Sequence, residues 1–442
     1  MSLGYTSPYR FSLNMEKLGN IVQYNIFSKN YVIGGHFINE FISFPPNVFN
    51  ALKGHLQTCP EIFIDHSLYI LERLIICNLG QFFSANYLHE IVQAEFDSFQ
   101  KLINTHIEDF LTPTSSELLK LDDALDFLTS ILYENACHRV FGNELISIPT
   151  FNEYVKYLHP LNFSTNRYFF NFLKVINELV IIKKKKILHK KMEIMIKNYI
   201  NKSRFDINSY TKQTSAINIY CTHKEKFCSK DFSLITTTLS RLFATIIGIP
   251  PTRILNALEY IASDYILSLD LYKEQQDIID LFGNSITLFV LSKMKILDSF
   301  IKKCLFLSSP ASFLHRKLNT SVVFSNGNYI PHNSTVSINL FGLNKATEKF
   351  YKSNYTDNNK NKVLMQNIDT LPWGYATSKC PFSEYALAQI KIILSILIRK
   401  YQIFNNQNMH FNKNSDFQQL LTVTSTNNSY YLKERNVKIW IV

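Results

Sequence analysis

Cys380 closes an irregular stretch, Leu371-Pro372-Trp373-Gly374-Tyr375-Ala376-Thr377-Ser378-Lys379-Cys380-Pro381-Phe382, and a strongly apolar run follows at once. In that run Tyr385, Ala386, Ala388, Ile390, Ile392, Ile393, Ile396 and Leu397 recur at helical spacing. A cysteine just ahead of a helix N-terminus lies where backbone N–H groups and the helix dipole favour the thiolate, the form that serves as a metal ligand. A purely structural cysteine needs no such setting. The seven cysteines are scattered and odd in number (Cys59, Cys77, Cys137, Cys221, Cys228, Cys304 and Cys380), which argues for a reducing compartment and against a disulfide framework. Cys221-x-His223 followed by Cys228 has part of a zinc-site spacing, but no fourth ligand of convincing spacing lies near it, and zinc is set aside.

The elements that must position Cys380 are mostly helical. Ile21 to Phe27 and Tyr31 to Phe37 read as two short strands, and apolar residues then recur three and four apart in Leu68 to Ile76, Tyr87 to Phe110 and Leu121 to Phe141. Thr112-Pro113-Thr114-Ser115-Ser116 breaks the pattern between the last two. Helical spacing returns in Phe151 to Leu158, Phe169 to Ile200, Asp231 to Leu267 and Asp277 to Leu307, while Asn201 to Lys230 reads as a polar linker. Val322 to Phe324 and Tyr329-Ile330 flank a good hairpin turn at Ser325 to Asn328, and Val336 to Phe341 is another short strand. Asn344 to Asp369 reads as an exposed polar meander, and Leu420 to Thr426 with Ser429 to Ile441 suggest a last hairpin.

A length of 442 residues and a hydrophobic content of 46% suit a large folded chain rather than a disordered one. The net charge of +11 admits an anionic membrane surface or an acidic protein partner, but no nucleic-acid-binding motif accompanies it. Its largest cluster, Lys183 to Lys186 with Lys190 and Lys191, alternates with apolar residues and reads as a solvated helix face. The N-terminal stretch lacks a signal-sequence pattern, and no apolar run approaches the ~20 residues of a membrane span. The expectation is a soluble or peripheral chain in the cytoplasm.

The loop ending at Cys380 resembles the haem-ligand loop of the cytochrome P450 family, Phe-x-x-Gly-x-Arg-x-Cys-x-Gly. Trp373 takes the aromatic position, Gly374 follows it, and Cys380 falls at the cysteine. Three further stretches are similar to the family. Leu297 to Ser309 looks like the helix that carries the family's Glu-x-x-Arg pair, and Asn328-Tyr329-Ile330-Pro331 follows it in the right order. Phe243 to Thr252 resembles the long helix crossing the distal haem face, with a mid-helix proline like that of the sterol 7α-hydroxylase and prostacyclin synthase branch. Beside Pro250, Pro251 can also simply kink or end a helix, but the order of the motifs around it favours the family reading. Thr377 to Pro381 looks closest to the oxysterol 7α-hydroxylase form of the loop.

The departures are specific. Ala376 and Ser378 take the glycine and arginine positions of the loop, and Phe382 replaces its last glycine, which is comfortable only at negative φ. The Glu and Arg of the helical pair fall on Lys303 and Phe306, and no arginine lies between Arg316 and Arg399 to complete the family's buried triad. Apolar packing accommodates Phe306; Lys303 must reach solvent.

The resemblance implies a mainly α fold with small peripheral β-sheets, a P450-like helical prism around haem b and its iron. It implies one domain over 1–442: an N-terminal strand region to 63, a helical part to 310 and a haem-loop part thereafter. Cys380 is then the metal ligand, with Ala244, Gly248 and Pro251 on the distal face. Trp373, Gly374, His315 and Arg316 are the further cofactor-binding residues, the last two at the haem propionates. Three activities stay open. One is a monooxygenase on a sterol-like or other lipid, served by an NADPH-dependent flavin reductase docking near Lys379 and Lys391, with peripheral membrane contact. Another is a reductase-independent peroxide isomerase. The third is a relative that binds haem or lipid without turnover.

Overall fold

The computed structural model describes residues 21–25, 30–33, 37–45, 47–50, 66–113, 118–156, 158, 172–202, 214–227, 231–307, 313–339, 373–374, 379–409, 417–419, 423–425 and 427–435. Strands β1 (Ile21–Asn25) and β2 (Asn30–Ile33) open the chain, followed by α1 (Ile38–Ser43) and β3 (Phe49–Asn50). Then come α2 (His66–Gln81), a π-helical turn at Phe82–Asn86, α3 (Leu88–Phe110), β4 (Leu111–Pro113) and β5 (Leu119–Leu121). A helical series follows: α4 (Ala124–Ile146), α5 (Pro149–Lys156), α6 (Phe172–Lys202), α7 (Ala216–Thr222), α8 (Phe232–Gly248), α9 (Pro250–Ser263), α10 (Tyr265–Phe282), α11 (Leu288–Lys293) and α12 (Lys295–Leu307). The rest alternates strands with one helix: β6 (Phe313–Leu318), β7 (Val322–Val323), β8 (Tyr329–Ile330), β9 (Thr335–Asn339), α13 (Ser383–Lys400), β10 (Tyr401–Phe404), β11 (Phe417–Gln419), β12 (Val423–Ser425) and β13 (Tyr430–Glu434). The fold is mainly helical with small sheets, as expected.

A five-stranded sheet runs β1-β2-β9-β6-β3, parallel only between β2 and β9, and closes over a small core of Ile33, Phe37, Phe41, Phe49, Phe324 and their neighbours. A second sheet runs β10-β13-β5-β4. The large core is one continuous cluster reaching from Ile75 to Leu432. At its centre lies α13, buried at every position from 388 through 398. A helix apolar on all sides belongs inside a protein, where it touches other helices all round.

Four expectations are corrected. The segment read as a linker contains α7: Ser215 caps it by accepting from the Asn218 N–H, and Ala216, Ile217, Ile219 and Tyr220 are buried. Its polar Asn218 is satisfied in the core by the Tyr199 hydroxyl, at 2.8 Å. The span with helical spacing from Asp231 to Leu267 divides among α8, α9 and the first turn of α10, because Pro250 and Pro251 at the first turn of α9 have no N–H to continue the ladder and Asp264 is extended where it caps α10. The helix expected from Asp277 to Leu307 is broken where Gly283, at φ +78°, ends α10 in a conformation that side chains resist. The last strands do not pair with each other: β12 pairs with β11, and β13 lies between β10 and β5.

Composition alone also undersold one stretch. Phe232–Ser263, taken together, is apolar and long enough to cross a membrane, but more than half of its most apolar stretch is buried inside the protein. Burial against other helices accounts for its hydropathy.

Candidate active site

Cys380 is held from three sides. Its own N–H donates to the Trp373 carbonyl at 2.5 Å, and Gly374 beside it adopts φ +84°, which glycine reaches without a Cβ penalty. The Lys379 carbonyl accepts from Arg73 Nη2 at 2.8 Å, and the Pro381 carbonyl from Ser84 Oγ at 3.2 Å. Both donors come from the α2 end of the chain, some 300 residues away. Gly80 on α2 allows this approach: a Cβ there would stand 2.5 Å from Pro381 Cβ and 2.7 Å from its carbonyl oxygen. Phe382 has φ −102°, the negative value a side chain needs at that position. Its buried ring meets Phe83 edge-on at 5.3 Å.

The thiol is half-buried, and burial pushes its pKa up. Against that act the Phe382 backbone N–H bonded to the sulfur and the charges of Arg73 and Lys379, while the neighbouring Cys77 adds to the rise. Backbone N–H and cations are the surroundings of a thiolate, yet desolvation still favours the neutral form. A metal ion at the sulfur reverses that balance, since a coordinating thiol is deprotonated outright. The donor set therefore fits an iron–thiolate bond from Cys380.

The central helices carry the other half of the expected site. Between residues 238 and 259 all positions are buried except Arg241, Ala244, Thr245, Gly248, Ile249 and Thr252. Their spacing of three and four puts them on one face of the helix pair, so a single stripe of an otherwise buried element stays accessible. Ala244 and Gly248 lie on this stripe. Pro251 does not: it is buried, and its part is to start α9. The prolines leave the carbonyls of Ile246 and Ile247 without the N–H of the residue four positions on. The Thr252 hydroxyl donates to the Ile249 carbonyl at 2.8 Å. At the head of the stripe Arg241 donates from Nη1 to Glu72 Oε2 at 2.7 Å. Glu72 is buried, which raises its pKa while Arg241 opposes the rise.

The remaining expected residues lie on other elements or outside the described residues. Arg316 sits on β6 with its guanidinium 5.7 Å from the centre of the Phe41 ring, against the smaller core. His315 pairs with Ser337 through the backbone, and its side chain lies outside the described residues, as do Ala376, Ser378, the meander and the side chain of Phe306. Lys303 is exposed, as its charge requires. Lys379 is exposed, but Lys391, expected on a basic docking face, is buried, with Nζ 2.5 Å from Asp298. His223 stacks on Phe82 at 4.4 Å and shares a hydrogen bond with the Tyr87 hydroxyl, so its ring is taken up in packing.

Fold and site together define a mainly helical protein whose single-cysteine loop is seated ahead of a helix buried through most of its length. The chain belongs to the cytochrome P450 family, whose sequence model, Cytochrome P450, matches residues 73–432. It is 32% identical over 128 residues to cytochrome P450 monooxygenase braC of Annulohypoxylon truncatum, covering 26% of this chain and 25% of that protein. It is 29% identical over 156 residues to cytochrome P450 monooxygenase phqO of Penicillium fellutanum, covering 32% and 36%. Cytochrome P450 71D11 of Lotus japonicus is 24% identical over 230 residues, covering 48% and 46%. The matched segments thus span from a quarter to about half of these relatives' lengths.

Arg73, Gly80, Ser84 and the Glu72–Arg241 pair were not anticipated from sequence. Only Gly80 left a signal, as an isolated glycine inside an apolar helical pattern.

Proposed function

We propose that this chain is a haem–thiolate monooxygenase acting on a sterol-like or other lipid substrate, folded as one domain, with Cys380 as the iron ligand. The observation that carries the reading is the seat of Cys380: a desolvated sulfur, bonded by a backbone N–H, at the foot of a buried helix. Haem b held by a cysteine thiolate supplies oxygen activation, because the ligand's electron donation favours O–O cleavage.

This chain's own residues then have separable tasks. Trp373 and Gly374 fix the loop, and Arg73 and Ser84 hold its carbonyls so that the sulfur keeps its direction. Ala244 and Gly248 give a shallow surface on the central helices, and Ile249 on the same stripe gives it an apolar edge for a lipid. The Thr252 hydroxyl can relay a proton, and the carbonyls of Ile246 and Ile247, which lack the N–H of the residue four positions on, can hold a water that does so. His315 and Arg316 are the residues proposed for the propionates. An NADPH-dependent flavin reductase is the electron source, meeting the exposed Lys379, and the protein works in the cytoplasm or at the endoplasmic reticulum surface. The likeness to the sterol 7α-hydroxylase branch rests on Pro251 and the Thr377–Pro381 loop.

A second reading, haem and lipid binding without turnover, is favoured by exposed Lys303 at the position where the resemblance sets a buried glutamate. NADPH consumption in the presence of a flavin reductase and a panel of sterols and fatty acids separates the two. The proposal expects lipid-dependent consumption that disappears in Cys380→Ala. Lipid binding without consumption by any panel member supports the second reading instead.

A further inference from the structure

A helix buried on every side, as α13 is from 388 through 398, gains little from apolar burial by preferring one rotation about its axis over another. For α13 that matters, because its first turn begins three residues after Cys380. Polar side chains that must find partners in the core remove the ambiguity. Tyr385 and Gln389, one turn apart on the same face, are both fully buried. Tyr385 Oη donates to Glu95 Oε1 at 2.7 Å, and Gln389 Nε2 donates to Tyr385 Oη at 2.8 Å and to Glu95 Oε1 at 3.4 Å. Glu95, on α3, is 1% exposed. Its charge is met by Arg139 of α4, with Nε 3.3 Å from Oε1. Arg139 is itself fixed, donating from Nη1 to the carbonyl and hydroxyl of Thr214. The Tyr385 ring also packs edge-on to Phe83 at 5.2 Å, and Phe83 carries Phe382, two residues after the cysteine.

We infer that Glu95, braced by Arg139, is a positioning residue for Cys380, fixing the rotation and register of α13 through Tyr385 and Gln389. The inference rests on Cys380 being the iron ligand. A carboxylate in this place is costly: burial raises its pKa, and Arg139, Tyr385 and Gln389 together do not fully offset that. An apolar residue would fill the site at less cost in stability, since buried ion pairs are often replaceable by hydrophobic packing. What such a residue would not supply is a unique partner for Tyr385.

The test uses the full chain reconstituted with haem, reduced and exposed to carbon monoxide, as wild type, Tyr385→Phe, Glu95→Gln and Glu95→Leu. The ratio of thiolate-type to neutral-thiol-type Soret absorbance is read beside the haem content and the urea midpoint of each variant. The inference predicts that Tyr385→Phe and Glu95→Leu lower this ratio by about tenfold at unchanged haem content. Glu95→Gln, which still accepts from Tyr385, recovers most of it. A wild-type ratio in Tyr385→Phe and Glu95→Leu, with only the urea midpoint moved, overturns the positioning role and leaves a structural one. Should Glu95→Leu not fold, the near-isosteric Tyr385→Phe carries the same prediction alone. A wild-type protein with haem but no thiolate band overturns the ligand assignment itself, and with it this inference.

Discussion

The two ends of α12 are held by different means. At its start, the Ile296 and Leu297 N–H groups donate to the two carboxylate oxygens of Glu274, at 2.6 and 2.9 Å. Asp298, one turn in, pairs with buried Lys391 at 2.5 Å and with Lys302 at 2.8 Å. At its end, where the family resemblance sets a buried glutamate, Lys303 reaches solvent while Cys304 and Leu305 pack into the core. Charge is therefore invested where a helix N-terminus and a buried ammonium need an acceptor, and the other end relies on apolar contact.

If that comparison is right, the largest loss comes from Asp298→Ala. Among the described residues it leaves the buried Lys391 ammonium only the Leu291 carbonyl, at 3.5 Å, and costs about 3 kcal/mol in urea unfolding. A loss near zero would show that Lys391 finds water instead. Burial raises the pKa of the same carboxyl, but the hydrogen bonds and charges of Lys302 and Lys391 together outweigh it and hold the carboxyl below its ordinary value. Its folded pKa being the lower one, the stability it lends is present above pH about 4 and fades as the pH falls further. The wild-type urea midpoint should drop through that window, and Asp298→Asn should flatten the drop.

The seat of Cys380 is the next test. Gly80→Ala gains up to ~1 kcal/mol in helix propensity but drives a methyl into Pro381, for a net loss of about 1–2 kcal/mol and a weaker hold on haem. A stabilised Gly80→Ala variant would mean that the loop moves off α2 without cost. Glu274→Gln keeps one acceptor for the two N–H groups and should lose about 1 kcal/mol. Lys303→Ala, at the exposed end, should change the urea midpoint by less than about 0.5 kcal/mol; a loss comparable to that of Glu274→Gln would erase the contrast between the ends.

Local chemistry was legible in the sequence where it is written within a few residues. The aromatic-glycine turn at Trp373-Gly374, the cysteine before an apolar helix and the need for negative φ at Phe382 all follow from neighbours along the chain. So does the interruption at Pro250-Pro251, although its outcome was a new helix rather than a bend. The partners were not legible. Nothing in the spacing of α2 says that Arg73 will meet the Lys379 carbonyl, or that Glu95 will meet Tyr385, because those pairs are made by packing between segments about 300 residues apart. Lys391 shows the same limit from the other side: as a lysine in an apolar run it read as a surface charge, and only Asp298 explains its burial. The helix α7 was missed because Asn218 and the polar residues around it conceal a run that Tyr199 makes comfortable inside the core.

The central claim is that Cys380 is a haem ligand, and the carbon monoxide difference spectrum of the reduced, haem-supplied protein tests it most directly. The account predicts a thiolate-type Soret band in the wild type and its loss in Cys380→Ala with the fold retained. A well-folded wild-type protein that takes up no haem, or a Cys380→Ala variant that keeps the band, would contradict it.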